Sequence, residues 1–248
     1  MCYHMSQTFK KVTKQVTRER YGISKSIGPL FENRGGHHLN GFSHPQVIAV
    51  ASDDPSGYQA LDWGLIPFWT KGEEQAKQMA KRTLNAKCET VFELPSFRAA
   101  IVKRRCIIPV DGFYEWLHYR SKTYPHYIFP KDETVFSLGG IWEEWLDNST
   151  GEVKKTFSII TTPANEVMDK IHNTKKRMPL ILDPKTELDW LSEGLSQDDI
   201  NELMKPYDAN QMAYHTVSRR VSSRTEESDV PEVKQPLEYP ELVAGLFG

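Results

Sequence analysis

Cys2 follows Met1 at the start of MCYHMSQTF. Inside a chain a cysteine offers one nucleophile, its thiol. At a free N-terminus it also offers an α-amine on the adjacent carbon, and a reference pKa near ~8 leaves part of that amine unprotonated at neutral pH. Such a pair suits condensation with an aldehyde: the amine forms an imine, and the thiol then closes a five-membered thiazolidine. The ordinary alternative is a terminal cysteine without chemistry, since chain ends are commonly disordered. Two letters do not decide between them.

Three other segments carry candidate proton-handling or polar groups. In DGFYEW (111–116), Glu115 stands between Tyr114 and Trp116. If the segment alternates as a strand, Phe113 and Glu115 share one face and Tyr114 and Trp116 the other. A carboxyl on an apolar face has its pKa raised by desolvation, which suits proton transfer near neutrality; a Glu on the solvent face is the alternative. In IHNTKKRMPLIL (171–182), His172 follows a short helical stretch and enters a basic loop, where an imidazole is either a proton shuttle or a surface residue. RTLNAKCET (82–90) gathers Arg82, Asn85, Lys87 and Glu89 in a turn-like stretch. LDWGLIPFWT (61–70) places Trp63 and Trp69 around a proline, as stacking platforms for single-stranded nucleic acid or as core residues. His37, His38 and His44 share a loop, but adjacent histidines are poor co-ligands and no metal is expected.

A chain of 248 residues with 39% hydrophobic and 26% charged residues is long enough to bury a sizeable core. Its three cysteines, Cys2, Cys88 and Cys106, include no CxxC pair, which argues against a disulfide framework and a cysteine zinc site. No stretch approaches the ~20 apolar residues of a membrane span, and the start lacks a secretory h-region. A reducing cytoplasm is the expected compartment. The net charge of −2 is unevenly placed: from Glu226 to Gly248 six acids and one base leave −5, so residues 1–225 carry +3. Within those, bases cluster at 10–20, in KRTLNAK, in VKRR (102–105), in TKKR (174–177) and in SRRVSSR. If they fold onto one face they make a groove for phosphates, with the acidic end, 226–248, as a tail able to compete for it.

The elements that must position these groups are mostly strands. VIAV and YQALDWGLI read as strands with a turn at DDPSG, and CIIPV, FYEWLHY, YPHYIF, TVFSLGGIWEEW, KTFSIITT, RMPLIL and MAYHTVS continue the pattern. Gly139–Gly140 invites a bulge or sharp bend. EEQAKQMAKRTL, SFRAAIVKRR with Ser96 as N-cap, PANEVMDKIH, PKTELDWL and SQDDINELM read as helices, and residues 10–20 as a surface helix or arm. Without regular βα alternation, this order predicts an α+β domain around a mostly antiparallel, curved sheet with interspersed helices. No phosphate-loop, dinucleotide or serine-elbow motif is present.

Taken in order, Cys2, WGLIPFW, LNAKCET, IIPVDGFYEW, TTPAN and IH…RMPLIL resemble the SRAP family, the SOS response-associated peptidases or abasic-site processing proteins, from Met1 to about His215. The resemblance implies a barrel-like α+β domain over residues 1–225, a positive groove for single-stranded DNA, and no cofactor. It implies that the protein itself removes Met1, and that Cys2 then forms a stable thiazolidine crosslink with the ring-opened aldehyde of an abasic site, with lyase activity as an accompaniment. By motif, Asn85 orients Cys2, Glu115 moves protons at the imine and ring-closure steps, and His172 acts as acid and base. Trp63, Trp69, Arg82, Lys87, Lys175, Lys176 and Arg177 are the expected DNA contacts. Replication-associated partners are not legible. The chain departs from the family pattern at Tyr3 and His4, where Gly-Arg is common, at Lys87 in place of an arginine, and in the longer spacing from His172 to Arg177. The same residues leave two further readings open: an N-terminal-nucleophile peptidase acting on other peptides, and a non-covalent single-stranded nucleic-acid binding module.

Overall fold

Long runs of β-branched and aromatic residues such as CIIPV and TFSIITT lack the alternation of a half-solvated strand, so both of their faces must be covered. In the computed structural model, which describes residues 2–8, 17–25, 35–131 and 135–242, they are. Five strands form a closed ring: β3 (Gln46–Ala51), β4 (Asp54–Trp63), β6 (Arg105–Val110), β9 (Phe136–Leu146) and β10 (Val153–Pro163). Neighbours in it are antiparallel except β4 and β10, which run parallel with Phe157 opposite Trp63. Two short strands, β5 (Asn85–Lys87) and β11 (Arg177–Pro179), extend the sheet from β10. A second sheet of five strands has the order β12-β8-β7-β1-β2, built from β1 (His4–Gln7), β2 (Gly36–Asn40), β7 (Gly112–Tyr119), β8 (Lys122–Pro130) and β12 (Met212–Thr216). The expected α+β, mostly antiparallel, barrel-like architecture is the one observed.

The core follows strand alternation. Val47, Ala49 and Ala51 of β3 point into one buried cluster with Cys2, Met5 and Phe113, while Val50 joins a second with Ile107, Ile160 and Trp190. The helices that flank the sheets include α1 (Gly72–Arg82), α2 (Arg98–Lys103), α3 (Glu166–Ile171) and α4 (Gln197–Leu203). Asn165 caps α3 by accepting from the Met168 N–H, and Ser196 with Asp199 forms a capping box on α4.

Several local expectations are corrected. The helix in SFRAAIVKRR begins after Phe97 and has no side-chain cap, so Ser96 does not cap it. The turn before β4 is at Ser52–Asp53, because the strand already starts at Asp54. PKTELDWL makes only a 3-10 turn at Asp189–Leu191. No bulge lies at Gly139–Gly140, and β9 keeps its register with β6 through both. The glycines serve close packing instead: a Cβ at Gly139 would stand 2.6 Å from the Leu180 side chain, and one at Gly140 2.7 Å from that of Ile108. The reading of residues 10–20 lies largely outside the described residues.

The acidic segment expected as a tail lies, through Leu242, against the outer face of the second sheet. Val233 is buried with Val217, Val221, Tyr114 and Tyr127. The Lys234 ammonium pairs with the Asp111 carboxylate, which also accepts from the Ser6 and Thr8 hydroxyls. Asp229 accepts the backbone N–H groups of His37 and His38. Lys234 thus supplies a charge where Asp111 would otherwise be half-buried and unpaired, and this anchors the segment.

Candidate active site

β1, paired between β2 and β7, brings the chain start to the site. Met5 pairs with Leu39 of β2 on one side and with Phe113 of β7 on the other. The residues before it are held too: the Gly41 N–H donates to the Tyr3 carbonyl at 2.8 Å, and the Tyr3 ring packs on Phe42. Cys2 is fully buried, its thiol donating weakly to the His4 carbonyl at 3.9 Å. Burial pushes the thiol pKa well up, and the nearby Glu115 carboxyl pushes it further. The thiol therefore stays protonated at neutral pH.

Alternation on β7 is as the sequence suggested. Phe113 enters the main core, while Tyr114 and Trp116 face the C-terminal segment. Glu115 shares the face of Phe113 and is only 4% exposed. Desolvation raises its pKa from 4.5 to about 7, where a carboxyl both gives and takes protons at neutral pH. His172 terminates α3 as its C-cap. Its Nδ1 lies 2.9 Å from the Arg177 carbonyl and 3.8 Å from Glu115 Oε1. A carbonyl only accepts, so Nδ1 carries the proton and Nε2 is the basic nitrogen. Burial lowers the His172 pKa to about 4, so the ring is neutral. Asn173, which the sequence reading passed over, clamps this loop onto β7: its side chain accepts from the His118 N–H and donates to the His118 carbonyl. No local signal marks it, because both bonds are tertiary.

Cys2, Glu115 and His172 are thus brought together. Glu115 and His172, with Tyr3, His4 and Lys175, line an open cleft of about 920 Å³. Asn85 stands on β5, opposite Ile159 of β10, and is not among the residues that line that cleft. Both Oδ1 and Nδ2 of Asn85 are buried without a hydrogen-bond partner in the protein. An amide left so costs about 1–3 kcal/mol, which marks it as poised for a partner.

The expected DNA contacts divide. Trp63 is corrected: it is fully buried, stacks on Phe157 and donates its indole N–H to the Leu84 carbonyl, so it cannot stack on a base. Trp69 is 40% exposed, and Arg82, Lys87, Lys175 and Lys176 are exposed. Lys176 pairs with Asp169. Arg177 is held in a bidentate pair with Glu89 and donates to the Thr161 carbonyl, which makes it a clasp between β11, β10 and the LNAKCET turn. The basic runs do not act as whole sets. Arg105 is buried, its guanidinium donating to the carbonyls of Trp190, Ile101, Val102 and Ser192, and Arg104 pairs with Glu143. Only Lys175 and Arg224 from these runs reach the cleft among the described residues. No helix among the described residues is long and apolar enough to cross a membrane.

Comparison with known proteins agrees with this geometry. A solved structure of a protein from Bacteroides thetaiotaomicron superposes with a TM-score of 0.87 at 38% identity, over 96% of this chain and 100% of that one. The abasic site processing protein YoqW of Bacillus subtilis is 42% identical over 165 residues, 66% of this chain and 70% of the relative. The abasic site processing protein HMCES of Gallus gallus is 30% identical over 96% of this chain and 73% of its own. The family model of the SOS response associated peptidases matches residues 1–224. With that match spanning both sheets and every candidate catalytic residue, the chain belongs to the SRAP family.

Proposed function

We propose that the protein processes abasic sites in single-stranded DNA by forming a covalent crosslink through Cys2. The observation that carries this reading is a buried Cys2 at the chain start, beside a carboxyl held near neutrality and a neutral imidazole, at an open cleft. The names of the relatives, abasic site processing proteins, support the same substrate.

Hydrolysis of the Met1–Cys2 peptide bond, with one water consumed, frees the α-amine. That amine adds to the ring-opened aldehyde, and loss of water leaves an imine. Glu115 hands its proton to the departing hydroxyl, which leaves as water from a protonated imine, and recovers one at ring closure, when the Cys2 sulfur bonds to the iminium carbon and the thiol proton passes to the Glu115 carboxylate. This order suits the protonated thiol: sulfur attacks second, after the imine has created an electrophile next to it. His172, with Nε2 as its basic nitrogen, takes and returns the proton of the sugar hydroxyl as the ring opens. Asn85 offers its unpaired amide to the chain start once Met1 is gone, and Trp69, Lys87 and Lys175 hold the flanking strand.

Cys2→Ala separates the two nucleophiles. After mass spectrometry has confirmed loss of Met1, the Ala variant should form an imine with abasic DNA that borohydride traps. Without borohydride it should leave no crosslink stable to denaturation, whereas wild type should give one. A processed Ala variant with the same unreduced, stable crosslink would overturn the thiazolidine, and a salt-sensitive complex alone, equal for intact and abasic DNA, would favour a non-covalent binder.

A further inference from the structure

The cleft has a second wall, on the opposite face of the second sheet from Glu115, and its chemistry is carried by histidines. His4 of β1 and His38 of β2 stack with ring centroids 5.0 Å apart, and His4 Nδ1 lies 2.8 Å from His38 Nε2. His38 Nδ1 in turn lies 2.7 Å from the Ser228 hydroxyl. Two ring nitrogens at that distance share one proton, so the chain from His4 through His38 to Ser228 has a direction. When His4 Nδ1–H donates to His38 Nε2, His38 Nδ1–H donates to the Ser228 oxygen, and His4 Nε2 is left basic. A proton added there makes His4 an imidazolium with one N–H held by His38 and the other free for a ligand, without rearranging any partner.

The surroundings keep the pair neutral until something compensates a charge. The Trp116 edge faces His4 at 4.7 Å and the Tyr114 edge faces His38 at 5.4 Å. Burial lowers His4 to about 3, with His38 adding to the effect. It lowers His38 to about 4, against the pull of the Asp229 carboxylate. The same cleft is also lined by Glu115, His172, His118, Lys175 and Arg224. Among the described residues that line it, the permanent cations Lys175 and Arg224 are matched by Asp229 and the titratable Glu115, so a polyanion entering the cleft meets little fixed positive charge.

We infer that the His4–His38 pair is a phosphodiester subsite of this cleft, which takes up one proton as a nucleic-acid phosphate docks. This rests on the reading that the cleft holds DNA. A phosphodiester oxygen at His4 Nε2 supplies the counter-charge that burial denies, and turns a neutral pair into a charge-assisted hydrogen bond. Ser228 and Asp229, which seat His38, lie beyond the residues 1–224 matched by the family model, so this wall is completed by the chain's own C-terminal segment.

The test uses the full chain and an intact single-stranded oligonucleotide, with affinity measured from pH 8 to pH 5.5 at constant ionic strength. Wild type should bind more tightly as pH falls, approaching tenfold per pH unit as the slope for one linked proton. His4→Phe and His38→Gln should each flatten the part of that slope that the pair carries. Ser228→Ala should weaken the slope without altering thermal stability. Equal pH slopes in wild type and both histidine variants, or a flat wild-type profile, would overturn the subsite. Crosslinking of abasic DNA is scored separately. Normal crosslinking with no His4-dependent slope refutes the subsite alone. An intact slope with no crosslink at any pH refutes the abasic-site reading and leaves the phosphate site standing.

Discussion

Replacing Glu115 by glutamine should make the protein more stable and less reactive, and the stability gain should depend on pH. The carboxyl is 4% exposed, and burial raises its pKa from 4.5 to about 7. A carboxyl with a raised folded-state pKa binds its proton more tightly folded than unfolded. Its protonated form is therefore accommodated without penalty below pH 4.5. Between pH 4.5 and 7 the unfolded chain ionises first and stability falls, and above pH 7 the full penalty is in place. A rise of this size corresponds to roughly 3 kcal/mol. A glutamine amide in its place is neutral at every pH and escapes that penalty. For a chain of this length about 2–4 °C of Tm accompanies each kcal/mol, so the variant should melt about 6–12 °C higher than wild type at about pH 8.5 and within a few degrees of it at about pH 4.5. The same variant cannot exchange protons, so the rates of Met1 removal and crosslinking should fall by about 10²–10⁴-fold. Differential scanning calorimetry at the two pH values and a gel time course with abasic DNA measure both effects. A Glu115→Gln variant no more stable than wild type at the higher pH would show that the buried carboxyl is not held near neutrality, and the proton-transfer role would lose its basis.

Ending the chain after Arg224 should destabilise the protein rather than free a groove, because it removes the Lys234 partner of Asp111 and uncovers the cluster around Val233. The cost should be at least ~3 kcal/mol, read as a lower denaturation midpoint. Trp63→Ala should cost about 3–5 kcal/mol of stability, whereas Trp69→Ala should leave the Tm unchanged and weaken binding to intact single-stranded DNA by about 1–3 kcal/mol. Asn85→Ala removes a buried amide without partners, so its Tm should hold or rise while crosslinking slows; a large loss of stability would mean that the side chain serves the fold and not the site.

Much of the chemistry was legible in residue types and spacing. The apolar runs dictated strands covered on both faces, and the alternation in GFYEW already placed Glu115 with Phe113 rather than with Tyr114, since that periodicity is a property of the extended backbone. The ordered motifs from Cys2 to RMPLIL sufficed to indicate the family. Contacts between segments far apart in the chain lay beyond the sequence. Trp63 and Trp69 look alike in LDWGLIPFWT, and only packing against Phe157 decides that one is core and the other surface. The basic runs read as phosphate ligands, yet Arg105 and Arg177 are consumed by carbonyls and by Glu89, because a guanidinium's five donors are satisfied wherever the fold brings acceptors. The segment from Glu226 onward has the composition of a solvated tail, and a single lysine, Lys234, lets it dock by neutralising Asp111. His4, His38 and Ser228 are separated by 34 and 190 positions. Nothing local couples them. Only the pairing of β1 with β2, and the return of the C-terminal segment over the same sheet, sets their nitrogens and oxygen in line.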